Sequence, residues 1–247
     1  MGVPRLLSFG KSDRGLRRLE NEDAFAVKPE LGFCLVADGI GGAAAGELAS
    51  RTFAEAALEV LTKAEAQSEQ ERRDSVQEAF RLAHERIQDC VKENPHYRGM
   101  GCTAELVVFY DKRCILGHVG DSRTYLLRKG QLKQLTRDHS IVQDQIDQGL
   151  ITAADARKHP LRNVILRAIG VDNSVEVDIL SGKALPGDVF LLCSDGLTDL
   201  VNDETIEKVL LSPLSLAQKV EELIELAKSE GGYDNITVIL TGIETPL

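Results

Sequence analysis

The residues best suited to chemistry in this chain are carboxylates placed where short apolar runs begin or end. Glu22-Asp23 stands directly before the stretch 24–28, and Asp38 closes Gly32-Phe33-Cys34-Leu35-Val36-Ala37, ahead of Gly39-Ile40-Gly41-Gly42. Asp121 closes Leu116-Gly117-His118-Val119-Gly120, Asp195 closes 189–194 ahead of Gly196, and Asp234-Asn235 follows Gly231-Gly232 and opens 236–241. One Asp after a strand is ordinarily a turn or cap residue. Five such corners, several beside glycines that let a backbone approach a ligand, point to a shared purpose. If the corners converge, two carboxylates about 4 Å apart repel by roughly 4 kcal/mol at an effective dielectric near 20. Several such pairs would exceed a domain's whole stability of about 5–15 kcal/mol. The acids are therefore either scattered or share divalent cations. An all-oxygen ligand set without His or Cys favours Mg²⁺ or Mn²⁺ over zinc. Two such ions sharing a carboxylate can lower the pKa of a bridging water toward about 7 and clamp an in-line displacement at phosphorus, which points to phosphate-ester hydrolysis.

Rival chemistries lack their residues. A cysteine-nucleophile phosphatase needs Cys-x-x-x-x-x-Arg, but the positions in question hold Ile40, His96, Val108, Gly120 and Asp199. The Asp-x-Asp-x-Thr/Val of an aspartyl-phosphate enzyme is absent, and His84-Glu85 is followed by Gln88 where a zinc protease needs His. His84 and His96 read as ordinary packing or surface residues. Gly39-Ile40-Gly41-Gly42-Ala43-Ala44 loosely matches a dinucleotide-binding fingerprint, with Glu59 downstream, and would make the chain an NAD-dependent dehydrogenase. That fingerprint requires a helix leading into a parallel strand, whereas a second helical segment follows here.

The elements that must carry these corners are legible from periodicity. Strands are expected at 5–10, 24–28 and 32–37, then helices at 46–62 and 71–92, the second placing Val76, Ala79, Phe80, Ala83, Ile87 and Cys90 on one face. Strands at 103–110, 114–119, 123–128 and 131–135 are joined by connections too short for parallel crossovers and read as one antiparallel meander. A less regular stretch, 138–170, has Thr152 placed to cap a short helix. Strands follow at 175–180 and 188–193, then a helical tail from about 204 to 230 and a last strand at 236–241. Strand runs interleaved with helix pairs define an α+β class with antiparallel sheets. No repeat, linker or composition break divides the chain, so one domain is expected over 1–247.

Composition narrows the partners. The 247 residues carry a formal charge of −10, with 43% hydrophobic and 28% charged residues, a globular profile. An acidic surface repels phosphate backbones and anionic lipid, so neither nucleic acid nor membrane is expected as a partner. No apolar run approaches membrane-spanning length, the N-terminus lacks a signal-peptide pattern, and Leu6 stands where a myristoylation motif after Met1-Gly2 needs Ser or Thr. Five widely spaced cysteines among apolar neighbours suit buried thiols in a reducing compartment, hence the cytoplasm.

The motifs Asp13-x-Gly15-x-x-Arg18-x-x-Asn21-Glu22-Asp23, Ala37-Asp38-Gly39-Ile40-Gly41-Gly42, Gly120-Asp121-Ser122-Arg123, Ser194-Asp195-Gly196-Leu197-Thr198-Asp199 and Asp234-Asn235-Ile236-Thr237 follow one another from about residue 8 to 241. In order and spacing they resemble the type 2C metal-dependent serine/threonine phosphatases. The stretch 136–170 resembles the bacterial single-domain branch with its flap, here about 138–168. The resemblance implies a four-layer αββα sandwich, two antiparallel sheets flanked by pairs of helices. It further implies a site for two divalent cations, Mn²⁺ or Mg²⁺, with Asp38 shared by both, Asp195 and Asp234 on one, and Glu22 and the Gly39 carbonyl on the other. Asp121 would help hold a third, weaker cation, and Asp23 and Asn235 would orient ligands from behind. Arg18 is the implied phosphate clamp, since a guanidinium bonds two phosphate oxygens at once. A metal-activated water would attack phosphorus in phosphoserine or phosphothreonine with no phosphoenzyme. The implied partners are phosphorylated proteins, including the cytoplasmic part of a Ser/Thr kinase, and a monomer is expected. Two positions depart from the pattern: Ile40 and Ala43 stand where family members carry a histidine. They leave an alternative open, a weak or idle family member serving as a regulatory binding module. His139 and His159 are candidates for the missing proton donor, and neither is assigned.

Overall fold

The computed structural model describes residues 3–64, 66 and 68–244; the side chains of Ala43 and Ala44 lie outside that set. Met1-Gly2 and the histidine-replacing Ala43 side chain therefore fall outside the described residues. Among the described residues, two five-stranded antiparallel sheets pack face to face. The first runs in the order β1 (Leu6–Asp13), β12 (Ile236–Ile243), β11 (Val189–Cys193), β8 (Arg123–Arg128), β9 (Gln131–Gln134). The second runs β10 (Asp178–Lys183), β7 (Arg113–Val119), β6 (Ala104–Tyr110), β3 (Phe33–Ala37), β2 (Ala24–Lys28). A two-residue pairing joins β4 (Gly39–Ile40) to β5 (Gly101–Cys102).

Alternation along the central strands builds three apolar layers. On β6, Ala104, Leu106 and Val108 face α1 (Ala43–Lys63) and α2 (Glu69–Glu93), whereas Val107 and Phe109 face the other sheet. On β12, Val238 and Leu240 face α6 (Asp203–Leu211) and α7 (Leu216–Ser229), whereas Ile239 and Ile243 point into the sandwich. Edge-to-face pairs lock two of these layers: Phe53 with Phe80 between α1 and α2, at 4.8 Å, and Phe109 with Phe190 between the sheets, at 5.1 Å. Ser68 and Ser215 begin α2 and α7 with capping boxes. The α+β sandwich with helices on both faces agrees with the expected class.

Three expectations need correction. The four strands read as one meander divide between the sheets, β6–β7 in one and β8–β9 in the other, because the chain crosses over at Gly120-Asp121-Ser122. The helical tail is two helices: Pro213 cannot continue α6, and Ser215 caps α7 afresh. The strand placed at 175–180 is β10 at 178–183, an edge strand whose bounds are set by pairing with β7. Within 138–170, α3 (Ile141–Asp147) and α4 (Ala153–Ala156) form, the latter capped by Thr152. The antiparallel pairing and the α1–α2 hairpin also dispose of the dinucleotide-binding reading, which needs a parallel crossover.

Candidate metal centre

Strand register alone brings the acidic corners together. Ala24 pairs with Ala37, so Glu22-Asp23 at the start of β2 lies beside Asp38 at the end of β3. Ala104 pairs with Val119, which puts Asp121 at the same end of that sheet. In the facing sheet Cys193 pairs with both Val238 and Arg123, so Asp195, Asp234 and the Asp121 corner share one end. The result is a single cavity of about 220 Å³ lined by Glu22, Asp38, Asp121, Asp195 and Asp234 together with Arg18 and Gly39. Thr103, Ile40, Gly41, Gly42, and Asn163 and Ile165 from the flap complete its walls.

Close backbone approach makes this possible. A Cβ on Gly39 would lie 2.2 Å from the Gly46 carbonyl oxygen and 2.6 Å from that of Glu22. A Cβ on Gly46, in the first turn of α1, would lie 1.8 Å from Glu22 Oε2. Gly46 therefore leaves the room in which the buried Glu22 carboxylate sits. Asp23 and Asn235 stand behind the cavity. Asn235 accepts the Glu22 N–H at 2.8 Å and donates to the Arg14 and Glu20 carbonyls at 3.0 Å, tying the 14–22 loop to β12. Asp23 accepts hydrogen bonds from Ser194 and Thr237, at 2.8 and 2.6 Å, across the two sheets. Ser50 on α1 donates to the Glu22 carbonyl at 2.6 Å.

Mutual repulsion shows in the titration of these groups. Burial, then Asp23, Asp195 and Asp121, hold Asp38 well above the usual carboxylate range. Burial, then Asp121, Asp199 and Asp234, do the same to Asp195. Asp121 is pushed up to about 7 by burial and by Asp138 and Asp199, and Asp23 to about 6, mainly by burial. Arg18 offsets part of the charge: its Nη2 donates to Asp234 at 2.7 Å and its Nη1 lies 3.9 Å from Glu22.

Among the described residues no three acidic, His or Cys side chains are closed into a ligand cage. The acids line one cavity, with Arg18 between Asp234 and Glu22. Asp195 Oδ1 and Asp23 Oδ1 are nonetheless buried without a hydrogen-bond partner. Orphaned carboxylate oxygens, an all-oxygen wall and carboxyls forced toward protonation are the arrangement a hard divalent cation relieves. The donor set fits such ions.

Neither histidine singled out in the sequence reaches this cavity. His139 is buried behind the Asp121 corner, and His159 accepts the Leu161 N–H within the flap at 3.2 Å. Ile40 lines the wall where a histidine would stand. A second cavity of about 180 Å³ shares Asp121 and Asp195 and runs beneath the flap past Asp199, Arg157 and Arg162. Sequence reasoning missed Gly46, Ser50, Thr103 and Asn163. A glycine in an Ala-rich helix start was the available signal for the first; the others carry none. Four of the five cysteines are buried, and none lines the acidic cavity.

With this geometry in view, the chain belongs to the protein phosphatase 2C family, whose model matches residues 14–240. It is 42% identical over 236 residues to the serine/threonine protein phosphatase PstP of Mycobacterium tuberculosis, covering 94% of this chain but 44% of that protein. It therefore spans less than half the length of PstP. It is 38% identical to the serine/threonine phosphatase stp of Listeria monocytogenes, covering 93% of both chains. The catalytic domain of PstP, solved in complex with two manganese ions, superposes with a TM-score of 0.89 at 38% identity, over 97% of this chain and 99% of that one.

Proposed function

We propose that the protein is a divalent-cation-dependent phosphatase that removes phosphate from phosphoserine and phosphothreonine in proteins, working as a single domain over 1–247. The convergence of Glu22, Asp38, Asp121, Asp195 and Asp234 with Arg18 on one cavity carries this reading. Asp38, at the centre of the acidic cluster, would be the carboxylate that serves both cations. Asp195 and Asp234 would hold one cation, Glu22 and the Gly39 carbonyl the other, and Asp121 would help hold a third, weaker one. When bound, the two cations, Mn²⁺ or Mg²⁺, supply an activated water and neutralise charge on the phosphoryl group.

The chain's own residues bind and orient the substrate. Arg18 sits at the rim and turns its planar donors from Asp234 and Glu22 to two phosphate oxygens. Asp23 and Asn235 keep the Glu22 loop and the β12 start in register, so the ligands stay grouped at one end of the two sheets. Among the described residues no His or Cys lines the cavity, so no imidazole stands there to protonate the departing alkoxide. A positioned acid is worth about 10²–10⁴ in rate, so poor leaving groups react slowly here.

The substrates are phosphorylated proteins, and the cytoplasmic part of a Ser/Thr kinase is the partner we favour. No helix among the described residues is long and apolar enough to cross a membrane. Cytoplasmic location, a monomeric state and the lack of nucleic-acid or membrane partners remain part of the proposal. The test is hydrolysis of phosphothreonine and phosphotyrosine peptides with Mn²⁺, using EDTA and Asp38→Ala as controls. Phosphothreonine turnover that both controls abolish is expected. Mn²⁺ binding without turnover would instead favour the idle regulatory module, to which Ile40 points.

A further inference from the structure

The Gly120-Asp121 corner is held from behind by groups that take no part in the cation cavity. Buried His139 accepts the Gly120 N–H on its Nδ1 at 3.1 Å and donates its own backbone N–H to the Gly120 carbonyl at 2.7 Å. Both backbone polar groups of Gly120 thus end on one residue. The corner has little freedom otherwise: Gly120 has φ of 110°, and a Cβ there would lie 2.4 Å from Thr103 Cβ. An accepting Nδ1 leaves the ring hydrogen on Nε2, which faces Asp178 Oδ2 at 3.3 Å, with Arg167 Nη1 at 3.4 Å from Nε2 and bonded to Asp178 Oδ1 at 3.1 Å. Burial and the nearby His118 push His139 down to about 4, consistent with the neutral ring that the Gly120 bond requires. The His139 carbonyl also accepts the Leu166 N–H at 2.7 Å, closing the base of the flap.

Beneath His139 lies a fully buried ion pair. Glu105 and His118 are register partners on β6 and β7 and face the other sheet. His118 bonds Glu105 through Nδ1 and donates from Nε2 to the Arg137 carbonyl at 2.9 Å. Thr124 Oγ1, from the facing sheet, donates to Glu105 at 2.6 Å. The His118 and His139 rings lie 4.5 Å apart. A buried ion pair contributes little net stability compared with apolar residues of the same volume. Its place at the end of an apolar inter-sheet core is therefore accounted for by what it holds, the 137–139 segment.

We propose that His139, seated on the Glu105–His118 pair, is a positioning residue that sets the Asp121 carboxylate against Asp38 and Asp195 for cation binding. This rests on the assignment of Asp121 to the cation cavity made above. Two conservative variants separate positioning from simple packing. In His139→Asn the Oδ1 replaces Nδ1 and keeps the Gly120 bond while losing Asp178. In His139→Gln the terminal amide replaces Nε2, keeping Asp178 while losing Gly120. Calorimetric titration of the full chain with Mn²⁺, alongside thermal unfolding in EDTA, reads both. His139→Gln and Asp121→Ala are expected to raise the Mn²⁺ concentration that half-fills the weakest site by about 10- to 100-fold. His139→Asn is expected to stay within about threefold of the parent, since loss of one distant partner leaves the ligand frame intact. Equal Mn²⁺ isotherms for the two His139 variants, whatever their unfolding temperatures, would overturn the proposal alone. An unchanged isotherm for Asp121→Ala would overturn the Asp121 assignment and the proposal with it.

Discussion

Replacing Gly46 with alanine should separate folding from metal binding. The new methyl group would stand 1.8 Å from Glu22 Oε2 and 2.8 Å from Glu22 Cδ, while an ordinary contact begins near 3.4 Å. The carboxylate must therefore retreat by about 1.6 Å, and the side the methyl group leaves to it is the cavity that Glu22 lines. The Gly39 carbonyl carbon, at 3.0 Å, has to give by only a few tenths of an ångström. Metal–oxygen bonds tolerate about ±0.2 Å, so the displacement far exceeds what a ligand can absorb. The helix itself gains, since alanine is favoured over glycine in a helix by about 1 kcal/mol. The expected outcome is an unfolding temperature in EDTA equal to or above that of the parent, with Mn²⁺ affinity lowered by about 10- to 100-fold in a calorimetric titration. A parental Mn²⁺ isotherm in a folded Gly46→Ala protein would refute the reasoning about Glu22. Gly39→Ala offers the contrast: its methyl group meets carbonyl oxygens of Gly46 and Glu22, which are backbone, so that variant should lose the corner and its fold together.

Further outcomes follow from the same geometry. Asn235→Ala strips partners from three backbone groups, the Glu22 N–H and the Arg14 and Glu20 carbonyls, each costing about 1–3 kcal/mol if left unpaired; urea unfolding should show a loss of at least about 3 kcal/mol. Arg18→Ala should lower kcat/KM on phosphothreonine peptides by about 10²-fold, and Arg18→Lys should not restore it, because an ammonium cannot bond two phosphate oxygens in one plane. His118 gains Glu105 and the Arg137 carbonyl on folding, and its pKa is raised to about 9 despite burial that works against the charge. A folded pKa above the unfolded value of about 6.5 gives stability that is complete below pH 6.5 and lost as pH rises through 9. The unfolding temperature should therefore drop between about pH 6.5 and 9 more steeply in the parent than in His118→Asn; parallel curves would contradict the charged pair.

The acids were legible in the sequence because each sits where an apolar run starts or stops, and strand register does the rest: Ala24 opposite Ala37 is enough to bring Glu22 to Asp38. The crossover at Gly120-Asp121-Ser122 was not legible, since a short turn looks the same whether the next strand stays in the sheet or leaves it. Pro213 and Ser215 did carry a helix break, which the apolar face of 204–230 obscured. β10 shifted because its bounds depend on β7 rather than on its own pattern, half of which is exposed. Gly46 acts by what it lacks, and Glu105 and His118 by a partner on another strand. No local pattern announces that pair, and for Gly46 the glycine in an Ala-rich helix start is the single signal.

The proposed hydrolysis requires separate strand ends to hold a pair of divalent cations jointly around Asp38. Counting tightly bound Mn²⁺ by equilibrium dialysis tests it most directly. Two ions per chain are expected for the parent and fewer than one for a folded Asp38→Ala variant, since the carboxylate shared by both ions is gone. Two ions retained by Asp38→Ala, or none bound by the parent, would contradict the account.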